Sequence, residues 1–231
     1  MERGGGLQQV NKDGILSYVK DQELVKMRRN QMIQGAITLF KDKGFHRTTT
    51  REIAKESGFS IGTLYEYIRT KEDVLYLVCD SIYENVHERM EEKMDLKYPS
   101  IENFVNVVRS YFLLMDEMQE EVLILYQEIK SLTKETKEAI LQKERDMVGM
   151  LERVILKSFP NEISKQDADL LANNIFIQGQ MWGFRRWMLR RQFTLEEYIE
   201  RQIQFLLRGI VLFESNEAIT KYISEKTDSS Q

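Results

Sequence analysis

The chain has 231 residues, 42% apolar and 30% charged, enough apolar material for one large domain or two modest ones sharing an interface. Its single cysteine, Cys79, excludes an intrachain disulfide framework, and no apolar run approaches the roughly 20 residues that span a bilayer. The net charge of −4 speaks against a nucleic-acid binder, but ten Lys and Arg face only six acids between Lys26 and Leu75, an excess of four that leaves the remainder at −8.

The opening MERGGGLQQVNKDG lacks the apolar core of a secretory signal, so a soluble cytoplasmic protein with no membrane contact is expected. Residues 1–20 read as a flexible arm, helical at most from Ile15. A first helix is expected over Asp21–Lys43, burying Ile33, Ala36, Ile37 and Phe40 at offsets of three, four and seven, and ending at Gly44. Thr49-Thr50-Arg51-Glu52 forms a capping box, with Thr49 bonding the Glu52 N–H and Glu52 reaching back. The short helix it opens stops at Gly58; Ser60 caps a second short helix to about Tyr67, and Thr70 caps a long one toward Met94.

Beyond Pro99, Ser100 opens a helix with Phe104, Val107, Val108, Tyr111, Phe112 and Met115 on one face. Helices follow over about Glu120–Lys130 (with Leu123, Ile124, Tyr126 and Ile129), Thr133–Ser158, Ser164–Arg191 and, from a Thr194/Glu197 capping box, Leu195–Phe213. The fold class is therefore all-α, with about nine helices and no alternating strand pattern. Residues 21–86 form the expected head, 87–213 the body and 214–231 a polar C-terminal tail.

Within the head, residues 49–68 read TTREIAKESGFSIGTLYEYI. Small Ala54, Gly58 at the turn and Leu64 between the helices have the spacing of a helix-turn-helix, whose second helix enters the major groove of DNA. The longer string GFHRTTTREIAKESGFSIGTLYEYIRTKEDVL resembles the TetR-family DNA-binding domain across residues 26–86. Ile61 departs from a common lysine or arginine and Ile68 from a common phenylalanine.

The resemblance implies a dimeric regulator that binds a double-stranded DNA operator, most simply a repressor released from a palindromic site by a small molecule. It assigns Ser60, Ile61, Gly62 and Thr63 to base edges, Tyr65 and Tyr67 to the phosphate backbone, and Lys71 to a phosphate near a helix N-terminus. Thr49, Thr50 and Arg51 would grip the opposite strand. Without the resemblance, the tyrosines serve equally as packing aromatics, Lys71 and Arg51 as solvated charges, and Thr49 as a cap.

In the family, the last two long helices pair two protomers as a homodimer. Here they carry apolar residues on more than one face: Leu170, Leu171, Ile175, Phe176 and Met181 on one helix, Ile199, Ile203, Leu206, Leu207 and Ile210 on the other. A plain core helix explains that pattern nearly as well. The stretch GQMWGFRRWMLRRQ sets Trp182 and Trp187 among four arginines, and from YQEIKSLTKE onward the chain is similar to acyl-CoA-binding regulators of fatty-acid metabolism in this family. That similarity implies a small amphipathic effector, an acyl-CoA, with Phe104, Tyr111, Met115, Tyr126 and Trp182 around the chain and Arg186 at the head. The other reading is a surface basic cluster pairing with Glu196, Glu197 and Glu200 of the next helix or of a partner protomer.

Two further classes are an enzyme and a helical adaptor. The only histidines, His46 and His87, are far apart, Cys79 falls on an apolar helix face, and no phosphate loop, triad or metal-spaced ligand set is visible, so neither catalysis, a cofactor nor a metal is expected. A helical adaptor without DNA binding is the other class, and the basic head argues against it.

Overall fold

In a computed structural model, residues 12–94 and 99–215 are described, with side chains for 22–94 and 99–210. Residues 1–11 of the expected arm and 216–231 of the expected tail lie outside the described residues. Ten α-helices and one 3-10 turn make up the described residues, with no strand among them. The chain divides into two compact units, one ending at Val78 and the other beginning at Cys79.

The first unit contains α1 (Lys12–Lys43), α2 (Thr50–Glu56), α3 (Ile61–Tyr65) and the opening turns of α4 (Lys71–Glu91). Met32, Ile33, Ala36 and Phe40 of α1 close on Phe45, Ile53, Ala54, Leu64 and Ile68, all buried. Helix α1 begins at Lys12, nine residues before Asp21 and three before Ile15, because Lys12, Asp13 and Gly14 offer no apolar residue to mark its start. It ends where expected: Gly44 takes φ +80° and its N–H bonds the Phe40 carbonyl. Gly58 takes φ +74° between α2 and α3, a left-handed conformation that residues with a Cβ rarely adopt.

The second unit contains the rest of α4, then α5 (Ile101–Glu117), α6 (Gln119–Glu128) with its 3-10 continuation Ile129–Ser131, and α7 (Lys134–Ser158). It closes with α8 (Lys165–Phe184), α9 (Arg186–Leu189) and α10 (Leu195–Ser215). Helix α5 is its centre: Phe104, Val107, Val108, Tyr111, Phe112, Leu114 and Met115 are all buried, and α7, α8 and α10 pack around it. Ser100, Thr133 and Ser164 accept N–H bonds at the N-termini of α5, α7 and α8, as expected, and Thr194 and Glu197 form the second capping box.

The single helix expected over Ser164–Arg191 is two. Arg185 leaves the α conformation at φ −110°, ψ 16°, and α9 turns so that Leu189 is buried while Trp187 is 64% exposed. Arg, Trp, Met and Leu are all acceptable helix residues, which hides the break from propensity.

Candidate nucleic-acid interface

The turn from α2 to α3 is held by local hydrogen bonds. The Thr49 N–H donates to Glu52 Oε2 at 2.9 Å, and the Glu52 N–H donates to Thr49 Oγ1 at 3.3 Å. Glu52 also meets Lys43 Nζ at 2.5 Å, so Lys43 first, then Thr49, hold its carboxyl down at about 2. Across the turn, Thr63 N–H donates to Ser60 Oγ at 3.0 Å, and the hydroxyls of Thr50 and Tyr65 bond at 3.1 Å, tying α2 to α3. Leu64 is fully buried and Ala54 nearly so, as the helix-turn-helix spacing requires.

These contacts leave one face of α3 outside the core. Ser60, Ile61, Gly62 and Tyr65 are exposed, and Thr63 and Tyr67 are half-buried. A Cβ at Gly62 would meet only Ser60 Oγ, at an ordinary 3.6 Å, so nothing inside the chain requires a glycine there. Arg51, Lys55 and Arg69 are exposed on the same unit. Lys71 is placed differently from a free surface cation: its Nζ donates to the Phe45 carbonyl at 2.9 Å and the His46 carbonyl at 3.3 Å, over the Phe45 ring. Two of its three N–H groups thus anchor the α1–α2 loop to the start of α4, a use of lysine that only tertiary contact reveals. One more contact missed by pattern joins α1 to the α2–α3 turn, Arg28 over the Phe59 ring at 5.0 Å.

In the second unit, Tyr111 is fully buried, stacked on Phe176, and donates its hydroxyl hydrogen to the Phe176 carbonyl at 2.9 Å. Trp182 is buried on α8 and donates Nε1–H to Asp116 at 2.6 Å, one residue beyond buried Met115. Tyr126 is 40% exposed, its ring edge on Phe184. Phe104 stands apart: it packs edge-on to Phe159, eleven residues before Met115 and so about 16 Å away along α5.

Two of the four arginines, Arg186 and Arg190, meet the α5–α6 corner. Arg190 pairs with Asp116 at 3.0 Å, and Arg186 donates to Gln119 at 3.2 Å. Within the one chain, Glu196, Glu197 and Glu200 of the next helix take other partners. Arg109 of α5 pairs with Glu196 at 2.8 Å and with Glu200, while Glu197 caps α10 through Thr194. Asp116 and Arg109 escaped the sequence reading, although Asp116 interrupts the apolar stripe of α5 four residues after Phe112 and was the one visible signal. Cys79 is buried, and burial pushes its thiol up to about 12, as befits a core residue.

A family model for bacterial regulatory proteins of the tetR family matches residues 32–76, and a second, for the tetracyclin repressor-like C-terminal domain, matches residues 97–210. The chain belongs to the TetR family. It is a DNA-binding transcriptional regulator of that family and not an enzyme. Among curated relatives, the HTH-type transcriptional regulator HbdR of Aromatoleum sp. (strain CIB) is 25% identical over 90% of this chain and 92% of its own. The fatty acid metabolism regulator protein of Bacillus subtilis (strain 168) is 24% identical over 78% of this chain and 94% of its own. Among solved structures, AibR in complex with isovaleryl coenzyme A and operator DNA superposes with a TM-score of 0.63 at 22% identity, covering 77% of this chain and 97% of that one. This TetR-family chain has no helix, among the described residues, long and apolar enough to cross a membrane.

Proposed function

We propose that the chain is a homodimeric repressor that grips a palindromic operator with α2 and α3 of each protomer and releases it when a small amphipathic acid binds the second unit. The observation that carries the DNA half is Gly62, a glycine on an exposed helix face with no internal reason to lack a side chain; it suits close approach of the helix backbone to a groove. Ser60, Ile61 and Thr63 flank it as base-edge contacts, with Ile61 suited to a thymine methyl. Tyr65, Tyr67, Thr50 and Arg51 reach phosphates, Thr49 contributes by holding the cap, and Lys71 has one N–H left for a phosphate. In duplex binding measured against salt, Lys71→Ala weakens all sequences and flattens the slope by about one phosphate contact, whereas Thr63→Ala changes discrimination among sites. Parent-like behaviour of both variants on specific and random duplexes sinks the assignment.

Pairing is supported by a second apolar face. Leu170, Ile177 and Phe205 are 61%, 49% and 63% exposed, and an apolar groove of about 330 Å³ runs between Ile163, Leu170 and Leu171 on one side and Phe205, Leu206 and Ile210 on the other. Phe205→Glu should give folded monomers in sedimentation; an intact dimer rejects this face as the interface.

The effector reading is an acyl-CoA, in keeping with fatty-acid metabolism, supported by the aromatic interior around Tyr111 and Trp182, by Arg186, and by the ligand solved with AibR. A buried acyl chain gains about 0.8 kcal/mol per methylene, so operator release should sharpen with chain length until further methylenes are no longer buried, with free CoA inert. Such a ligand must bind the DNA-free form more tightly. A flat response across lengths removes the acyl-CoA and leaves the regulator.

A further inference from the structure

Helix α8 carries a side chain whose hydrogen bonding is incomplete. Gln180 is 4% exposed, and its Oε1 is buried with no hydrogen-bond partner among the described residues. Its amide lies against the Tyr111 hydroxyl. That hydroxyl has one hydrogen, and it is donated to the Phe176 carbonyl at 2.9 Å. Toward Gln180 the phenol can only accept, so the amide must present its NH2 there and turn Oε1 away. The backbone allows little adjustment: next to Gln180, Gly179 sits so close to Tyr111 that a Cβ would lie 2.5 Å from the ring. A buried carbonyl left unpaired is one of the costlier arrangements in a protein interior, and each instance asks for a donor.

The neighbourhood does not supply one readily. Tyr83 donates to Glu144 at 3.0 Å, and burial, reinforced by Glu144, keeps the phenols of Tyr83, Tyr111 and Tyr126 above their usual range and therefore protonated. With the hydrogens of Tyr83 and Tyr111 already committed, the region is rich in acceptors. Between α4 and α7, a cavity of about 330 Å³ is lined by Tyr83, the donor to Glu144, with His87, Lys143 and Met147.

We propose that Gln180 is a specificity-determining residue of the effector site, its side-chain carbonyl accepting a hydrogen bond from a hydroxyl or N–H group at the buried end of the ligand. The inference rests on the second unit's being the effector-binding unit, but not on the coenzyme A head. It narrows the effector class: a plain alkyl end leaves the carbonyl unpaired, a carboxylate end adds an acceptor beside Glu144, and a donor-bearing end satisfies it.

The test uses the full chain, Gln180→Leu beside the parent, and butanoyl-, hexanoyl- and octanoyl-CoA with their ω-hydroxy counterparts, each also as the free acid. Binding is followed through tryptophan fluorescence, and thermal unfolding is recorded without ligand. At one chain length the hydroxylated probe should bind the parent about tenfold tighter than the plain one, and Gln180→Leu should erase or reverse that preference. Unliganded Gln180→Leu should melt within about two degrees of the parent, since the unpaired acceptor it removes offsets the amide's bond to Tyr111 that it also removes. Equal binding of plain and hydroxylated probes to the parent at every length overturns the inference. So does a melting point several degrees lower in the variant, which would mean that the carbonyl is already satisfied, by water or by Tyr126. A preference found only among free acids rejects the acyl-CoA reading and keeps the role of Gln180. If no probe binds, the acyl effector class fails, and the melting comparison alone decides on Gln180.

Discussion

The two units satisfy their polar groups on different length scales. In the first, the bonds that shape the interface are mostly between residues three apart: Thr49 with Glu52, Ser60 with Thr63, Thr70 with Asp73. In the second, caps of the same local kind are joined by bonds between helices at separations of 20 to 87 positions, among them Lys143–Glu84, Tyr83–Glu144, Tyr111–Phe176, Trp182–Asp116, Tyr198–Gln178 and Arg109–Glu196. A DNA-reading face has to be presented on rigid short helices, and local caps achieve that without a large core. A unit that accommodates a ligand instead distributes its polar contacts over several helices, where moving one helix changes many of them at once.

The contrast can be broken from either side. The largest effect is expected from Leu64→Ala, which empties the fully buried position between α2 and α3. It should cost about 2–5 kcal/mol and abolish DNA binding, with the second unit's unfolding unchanged. Differential scanning calorimetry resolving the two units checks this, and a joint loss of both would show that they do not fold separately. Asp116→Ala is next: it strips the partner from the buried Trp182 indole and from Arg190, and should lower the second unit's stability by about 1–3 kcal/mol in urea unfolding. An unchanged midpoint would mean that the long-range bonds there are dispensable.

The smallest effect is a pH response of the first unit. The Glu52 carboxyl is depressed from 4.5 to about 2, so its contribution is present above 4.5 and is lost as pH falls toward 2. Helicity of the parent should therefore decline over that window more than that of Glu52→Gln, which lacks the titration. Identical acid profiles would remove the capping box from the account.

The same difference in length scale decides what was legible in the sequence. Caps at Thr49, Ser60, Ser100, Thr133, Ser164 and Thr194 were all readable because donor and acceptor lie within one turn. The core face of α5 was readable from its period. Lys71 was not, because its partners Phe45 and His46 are 26 and 25 residues away and invisible to any local pattern. Nor was the partner of Arg190, since the sequence shows nearby acids in Glu196, Glu197 and Glu200 while Asp116, on another helix, takes it within the chain. Gln180 was missed for a similar reason: an amide in a helix looks like a surface residue until its burial is seen.

The central claim, that the exposed face of α3 reads DNA, is tested most directly at Gly62. A duplex selected from a random pool by the parent protein is titrated with the parent and with Gly62→Ala, alongside melting of the first unit. The added methyl clears the protein, at 3.6 Å from Ser60 Oγ, and alanine favours helix, so the unit should melt no lower than the parent's. Affinity for the selected duplex should nonetheless fall by at least about tenfold, because the methyl stands between helix and groove. Parent-like affinity in a variant that folds as well as the parent would contradict the assignment of this face to DNA.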